Sequence, residues 1–328
     1  MEKTLNFKRL ISAMLYALLC LLMTSAFIFC AITPAFAADT KVATTGQELQ
    51  ALIDNVSEGG ELHIQLDPSG KGEFVDDFIL DKTIEITKPC KLYFDGLRLI
   101  DPKNGRITLL SIECKNSHAF YVDADNVELH FSGGVQIGGP QSNKTYGEGI
   151  YVNGDNCLID GGRFAFCGDP VNDYDGGAIY VDGRNCTIQD AAFYHCYGYD
   201  GGAICVNQHD CHVINCSFAK CRAMDYGGAI YVCTGTYGFV ASGCTFSEVE
   251  AIDYAHYISG ARDAKVYNCS PHWGEEDYYS CWCEFVTSDP IGFTIGSGSI
   301  WIIAAGAVVI LGGLAAILVV NRKKRKSV

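Results

Sequence analysis

A six-residue string, GGAIYV, occurs at Gly176–Val181 and again at Gly227–Val232, with GGAICV between them at Gly201–Val206. A shorter copy, EGIYV, occupies Glu148–Val152. The isoleucines Ile150, Ile179, Ile204 and Ile230 are 29, 25 and 26 residues apart. A chain that repeats at this period folds as stacked units, because one unit of that size cannot bury its own apolar face.

The repeat can be read residue by residue. Period-two alternation puts Ile179 and Val181 on one side of a strand and Tyr180 on the other. The equivalent pairs Phe120/Val122, Ile150/Val152, Ile204/Val206 and Ile230/Val232 are all apolar, and the residues between them are Tyr121, Tyr151, Cys205 and Tyr231. A second strand follows at Cys157-Leu158-Ile159, Cys186-Thr187-Ile188 and Cys211-His212-Val213. A third element carries Phe164, Phe193, Phe218 and Phe246, and a turn repeats Asn126, Asn156, Asn185 and Asp210. Three short strands per repeat predict an all-β parallel coil whose turns lie ~4.8 Å apart, so that each inward position becomes a ladder. Leucine-rich repeats share the period but need a frame of leucines. Between His118 and Ser270 the only leucines are Leu129 and Leu158, which excludes that fold.

Ahead of the repeats, Thr45-Gly46-Gln47-Glu48 has capping-box spacing, and Leu49, Leu52, Ile53 and Val56 recur as on one helix face. This predicts a short helix from Gly46 to about Asn55, laid over the first coil as a cap. Near the N-terminus, Lys3, Lys8 and Arg9 precede an apolar run, and Ala35-Phe36-Ala37 offers a cleavage site, as in an export signal. Ile300–Val320 is an uncharged run of 21 residues followed by Arg322-Lys323-Lys324-Arg325-Lys326. Such a run spans a bilayer with its basic end in the cytoplasm. The expected organisation is a signal at 1–37, cap and first coil at 38–80, coil at 81–270, linker at 271–298, transmembrane helix at 299–321 and basic tail at 322–328.

The GGAIYV strands resemble the GGAI repeats of right-handed parallel β-helix proteins, in particular bacterial polymorphic membrane proteins and adhesin-like surface proteins. The likeness runs from about Thr45 to Ser270. It implies a right-handed parallel β-helix on a cell surface. The companion motif differs: FxxC at Phe164–Cys167, Phe193–Cys196 and Phe218–Cys221 stands where that family carries FxxN. Enzymes of the same fold cut polysaccharides, but of the NTD, DD, GHG and RIK segments of polygalacturonase-like members only DD occurs, at Asp76-Asp77.

Charge narrows the partners. The net charge is −14; the leader carries +2 and the tail +5, leaving −21 between them. Such a surface repels nucleic acid and anionic glycans. The outward tyrosines Tyr121, Tyr151, Tyr180 and Tyr231 are the candidate ligand-binding residues, with flat faces suited to sugar rings or a protein partner. Against this, a tyrosine column also forms simply because cross-strand rings stack. Asp173, Asp175, Asp200 and Asp225 gather before the glycine pairs and are the candidate catalytic acids. Asp175, Asp200 and Asp225 are also the candidate calcium ligands; no other cofactor is expected. The histidines His195, His209, His212 and His256 are scattered and expected in surface or turn roles.

Of 17 cysteines, Cys20 and Cys30 fall in the leader, leaving 15. Three ladders are expected: Cys157/Cys186/Cys211, Cys167/Cys196/Cys221 and Cys216/Cys244/Cys269. They serve as buried apolar fillers or as inter-coil disulfides. The expected role is an adhesin-like, membrane-anchored module binding an extracellular glycan or protein. The alternatives are a polysaccharide lyase or glycoside hydrolase, and a structural spacer.

Overall fold

The computed structural model describes residues 40–71, 77–96, 99–100, 107–114, 118–138, 149–168, 175–252, 257–260, 263–270, 279–280 and 284–285, all within the compact unit Met1–Val286. The predicted signal, transmembrane helix and tail, and Asp173 and His256, lie outside the described residues. Among the described residues, no helix is long and apolar enough to cross a membrane.

The chain winds through parallel strands that form three long faces. The first face is an eight-stranded parallel sheet running from Ile84–Ile86 to Tyr279–Ser280. In it Ile150, Ile179, Ile204 and Ile230 are consecutive register partners, as are Val152, Val181, Val206 and Val232. The predicted isoleucine column is therefore real, and all eight side chains are buried. The second face stacks Leu92, Leu129, Ile159, Ile188, Val213, Ala241 and Val266. The third stacks Phe164, Phe193, Phe218 and Phe246, with ring centroids 4.9, 4.9 and 5.1 Å apart and planes within 14° of parallel.

Two expectations need correcting. Three strands per coil undercounts the later coils, where a fourth side is made by Tyr197–Gly198, Arg222–Ala223 and Glu250–Ala251. These two-residue strands carry too little alternation to register as a period. The run Arg106-Ile107-Thr108-Leu109-Leu110 reads in the sequence as one strand, but within 107–110 the chain divides between two elements. Ile107–Thr108 pairs antiparallel with Leu99–Ile100 as an excursion, and Leu110–Cys114 returns to the third face.

The corners explain the motif. A right-angled turn between two strands needs a residue in the left-handed region, where Asn, Asp and Gly cost least. Asn126, Asn156, Asn185 and Asp210 all have φ between 53° and 58°, which accounts for their recurrence. The next corner uses Asp190, Asn215, Gly243 and Asn268, and the one after it Phe166, His195, Lys220 and Glu248. The fourth corner is the first glycine of each GG pair: Gly176, Gly201 and Gly227 have φ of 67°, 66° and 63°. The second glycine is needed for close approach, since a Cβ on Gly202 would lie 2.2 Å from the Gly228 carbonyl oxygen.

The ladder cysteines are part of the same corners. All nine directly follow a left-handed residue, are buried, and carry free thiols. Their sulfurs face carbonyls on the turn: Cys186 Sγ donates toward Gly154 O at 3.4 Å and Arg184 O at 3.5 Å. Cysteine suits this place because it is small and apolar, yet offers a weak donor to inward-facing oxygens.

Helix α1 (Gly46–Asp54) closes the N-terminal end. Thr45 Oγ1 accepts the Glu48 N–H at 3.2 Å, and the Glu48 carboxylate accepts the Thr44 N–H at 2.8 Å. Leu49 and Ile53 face the core. Gln50 accepts the Glu85 N–H at 2.8 Å and donates to Glu85 O at 2.9 Å. It thus gives the first strand of the first face the bonds a preceding strand would have given. The strand Lys41–Ala43 covers the end of the second face by pairing with Ile64–Leu66.

Candidate functional site

The outward side of the first face carries two parallel rows. One is Glu85, Tyr121, Tyr151, Tyr180, Cys205, Tyr231 and Ser259, each in register with the next. The four tyrosines are half-buried. Tyr121 and Tyr151 have centroids 5.3 Å apart, and Tyr151 and Tyr180 are stacked at 5.0 Å. Their faces cover one another, so a ligand meets ring edges and hydroxyls rather than open aromatic plates. Burial raises the pKa of Tyr121, and more strongly those of Tyr180 and Tyr231, where Cys205, Cys233 and nearby aspartates add to it. These hydroxyls therefore stay protonated and can donate.

The second row lies two residues further along each strand: Asp123, Asn153, Asp182, Asn207 and Cys233. Asn153 donates to Asp123 Oδ1 at 2.7 Å, and Asn207 to Asp182 Oδ1 at 2.9 Å. Tyr151 Oη reaches Asp182 Oδ2 at 3.3 Å, tying the rows together. Cys205 is fully buried beneath this surface, and its sulfur lies 3.8 Å from that of Cys233.

The pre-glycine aspartates form a third line at the N-terminal edge of the face. Asp175 Oδ1 accepts the Asp200 N–H at 3.2 Å, and Asp200 Oδ1 accepts the Tyr226 N–H at 3.0 Å. The next coil has one extra residue at this corner. Counted back from the glycines Tyr226 opposes Asp200, whereas counted on from Arg222 it is Asp225. Asp175, Asp200 and Asp225 thus lie in successive coils. Burial pushes the Asp200 carboxyl up to about 6, with Asp175 and Asp225 adding to the effect and the Tyr226 N–H opposing it. Among the described residues, no three or more His, Cys, Asp or Glu side chains converge as metal ligands would.

Two further features stand apart. On the second face His63, Tyr93 and His130 stack at 4.5 Å intervals. His130 Nδ1 lies 2.8 Å from Asp160 and its Nε2 lies 3.1 Å from Glu128, which also pairs with Lys91 at 3.1 Å. Beside α1, a cleft of about 500 Å³ is lined by Gln47, Gln50, Asp54, Asp81, Lys82 and Glu85 among others.

A family model described as the right handed beta helix region matches residues 99–270, just over half of the chain. The chain belongs to the right-handed β-helix family. No curated protein matches this β-helix, and neither does any solved structure.

Within the β-helix the sequence reading singled out the tyrosine row and the aspartate line; Tyr121, Tyr151, Tyr180 and Tyr231 lie at the centre of the first-face strands, and Asp175, Asp200 and Asp225 at the N-terminal edge of that face. That reading missed the polar row, although Tyr-Val-Asp and Tyr-Val-Asn recur at Tyr121, Tyr151 and Tyr180, and period two places the third residue beside the first. It also missed the His63–Tyr93–His130 stack. Those residues come from coils of unlike sequence, so only register reveals that they align. Of the scattered histidines, His195 has φ of 51° and holds a corner, while His209 stacks on Tyr237 at 3.8 Å.

Proposed function

We propose that this β-helix is an extracellular display module whose first face binds a hydroxyl-rich partner, above all a glycan chain. The double row of tyrosines and Asp/Asn side chains carries the reading. Four of the five coils offer a phenol, the fifth having the buried Cys205 there, and each coil sets an amide, carboxylate or thiol beside it, at a pitch of ~4.8 Å. A linear polysaccharide laid along the axis presents its hydroxyls at a comparable pitch, so each coil serves about one sugar. The acidity of the chain favours a neutral or cationic glycan over a polyuronate. The leader at 1–37, the uncharged run Ile300–Val320 and the basic tail support a coil held outside the cell on a single membrane anchor. External protease acting on intact cells should then remove the coil and leave the tail.

The direct test is a glycan array probed with the full-length protein, with and without calcium. Tyr151→Ala and Asp182→Ala should each weaken the signal about tenfold, or ~1.4 kcal/mol, with circular dichroism unchanged. Binding that ignores both substitutions refutes the reading. A signal only with protein partners would point to adhesion between proteins, and no signal at all to a spacer.

The raised carboxyl of Asp200 favours a second reading, as a polysaccharide-cleaving enzyme. A carboxyl still protonated near pH 6 beside ionisable Asp175 and Asp225 divides proton donor from base as such chemistry requires. On this reading purified protein shortens a polysaccharide, and Asp200→Asn lowers the rate at least ~100-fold. A wild-type protein that turns over no polysaccharide removes it.

A further inference from the structure

Of the thirteen described cysteines, twelve are buried and one, Cys233, is partly exposed. The nine ladder thiols are buried corner fillers whose sulfurs neighbour carbonyl oxygens and, within a ladder, one another. Cys205 and Cys233 differ in place: they lie on the outward side of the first face, with sulfurs 3.8 Å apart, and Cys233 is partly exposed. One thiol open to solvent backed by one that is wholly enclosed is the arrangement that two-step thiol–disulfide exchange needs.

We propose that Cys205 and Cys233 form a thiol–disulfide exchange site, with Cys233 as the attacking sulfur, Cys205 as the resolving one, and a small or protein-borne disulfide as the oxidant. The Cys233 thiolate attacks one sulfur of the incoming disulfide. That S–S bond breaks, and the first thiol leaves with a proton. Cys205 then gives up its proton and attacks the Cys233 sulfur, expelling the second thiol. Two cysteines are oxidised, one external disulfide is reduced to two thiols, and the two protons end on those thiols.

The surroundings suit these roles. The hydrogen bond between the two sulfurs lowers the Cys233 thiol, against burial and the carboxylates of Asp175, Asp200 and Asp182, and raises that of Cys205, which burial raises further. Cys205 is in register with Tyr231, so Cys233 is its diagonal neighbour. Diagonal Cα atoms stand about 7–8 Å apart, beyond the ~7 Å that a disulfide spans without backbone movement. Closing the bond draws the Cys233 backbone inwards. Cys233 lies just past the last strand residue, but its N–H still donates to Val206 O at 2.8 Å and its carbonyl accepts from Thr236 N at 3.2 Å and Thr236 Oγ1 at 2.8 Å, so the closed bond works against these contacts. A bond closed against that turn is readily reopened, which makes it an exchangeable link between successive coils and not a permanent staple.

The experiment treats reduced full-length protein with oxidised glutathione, quenches by alkylation and maps the peptides by mass spectrometry. Wild type should yield a Cys205–Cys233 cross-link within minutes. Cys205→Ser should instead retain glutathione on Cys233, and Cys233→Ser should take up none in the native state. In untreated native protein Cys233 should be alkylated at least ~10-fold faster than any ladder cysteine. The proposal is overturned if Cys233 reacts no faster than the ladders, or if wild type keeps its glutathione as Cys205→Ser does. Should the serine variants fail to fold, the wild-type alkylation rates and cross-link decide alone.

Discussion

Asp200 is held between carboxylates of the coils before and after it, and it keeps its place because its oxygen accepts the Tyr226 N–H. An unfolded aspartate titrates near ~3.9, whereas this one titrates at about 6 in the folded chain. The folded state therefore holds the proton more tightly. Asp200 is least costly below about pH 4, its cost grows as pH rises toward 6, and it is constant above that. Asp200→Asn keeps an acceptor for Tyr226 without the charge. It should match wild type near pH 4 and be more stable at pH 7 by ~1 kcal/mol after allowance for solvent screening. That corresponds to roughly 2–4 °C in Tm for a unit of this size. Melting curves across pH 4–8 would check it, and a difference independent of pH would show that the cost is not electrostatic.

Among the elements, the third face is held by rings stacked at 4.9–5.1 Å, and each is buried. Phe193 stacks on both sides, so Phe193→Ala should cost about 3–5 kcal/mol, with part of that from the cavity left behind. Denaturant unfolding should show it as a lower midpoint. The corners set a different constraint, on backbone and not on volume. Gly202→Ala would press its methyl against the Gly228 carbonyl. It should cost about 1–3 kcal/mol although it adds one carbon. Ala203→Gly, beside it, has no such contact to relieve and should cost ~1 kcal/mol or less. If Gly202→Ala cost no more than Ala203→Gly, close approach would not explain why the motif has a second glycine.

At the scale of the whole molecule, a stack of parallel coils is stable along its length and vulnerable at its ends, where backbone groups lack partners. Gln50 and the strand Lys41–Ala43 supply those partners at the N-terminal end. Removing residues 40–56 should therefore leave the coils folded but associating through Glu85 and its neighbours. Light scattering would show this as growth in mass, and a monomer would show that α1 is ornamental to solubility. Charge is also distributed by face. The described outward residues of the first face carry carboxylates at Glu85, Asp123 and Asp182, whereas on the second Glu61, Glu128 and Asp160 alternate with Lys91, His130 and Lys265.

The amino-acid sequence alone determined the winding. An inward Ile–Val pair recurring every 25–29 residues leaves one way to bury the Ile and Val, and the ladders of Phe, Asn and Cys follow from it. The capping helix was legible for the same reason, since Thr45 and Leu49 to Ile53 speak of their own neighbourhood. Tertiary structure alone decided which outward residues meet. Coil length varies, and one added residue before Gly227 sets both Asp225 and Tyr226 against Asp200. His63, Tyr93 and His130 come together from coils with no shared motif, and Cys205 meets Cys233 on a diagonal. Period fixes what faces inward, because burial there is repeated in every coil. Contacts on the outside depend on register at each corner, and no periodicity records that.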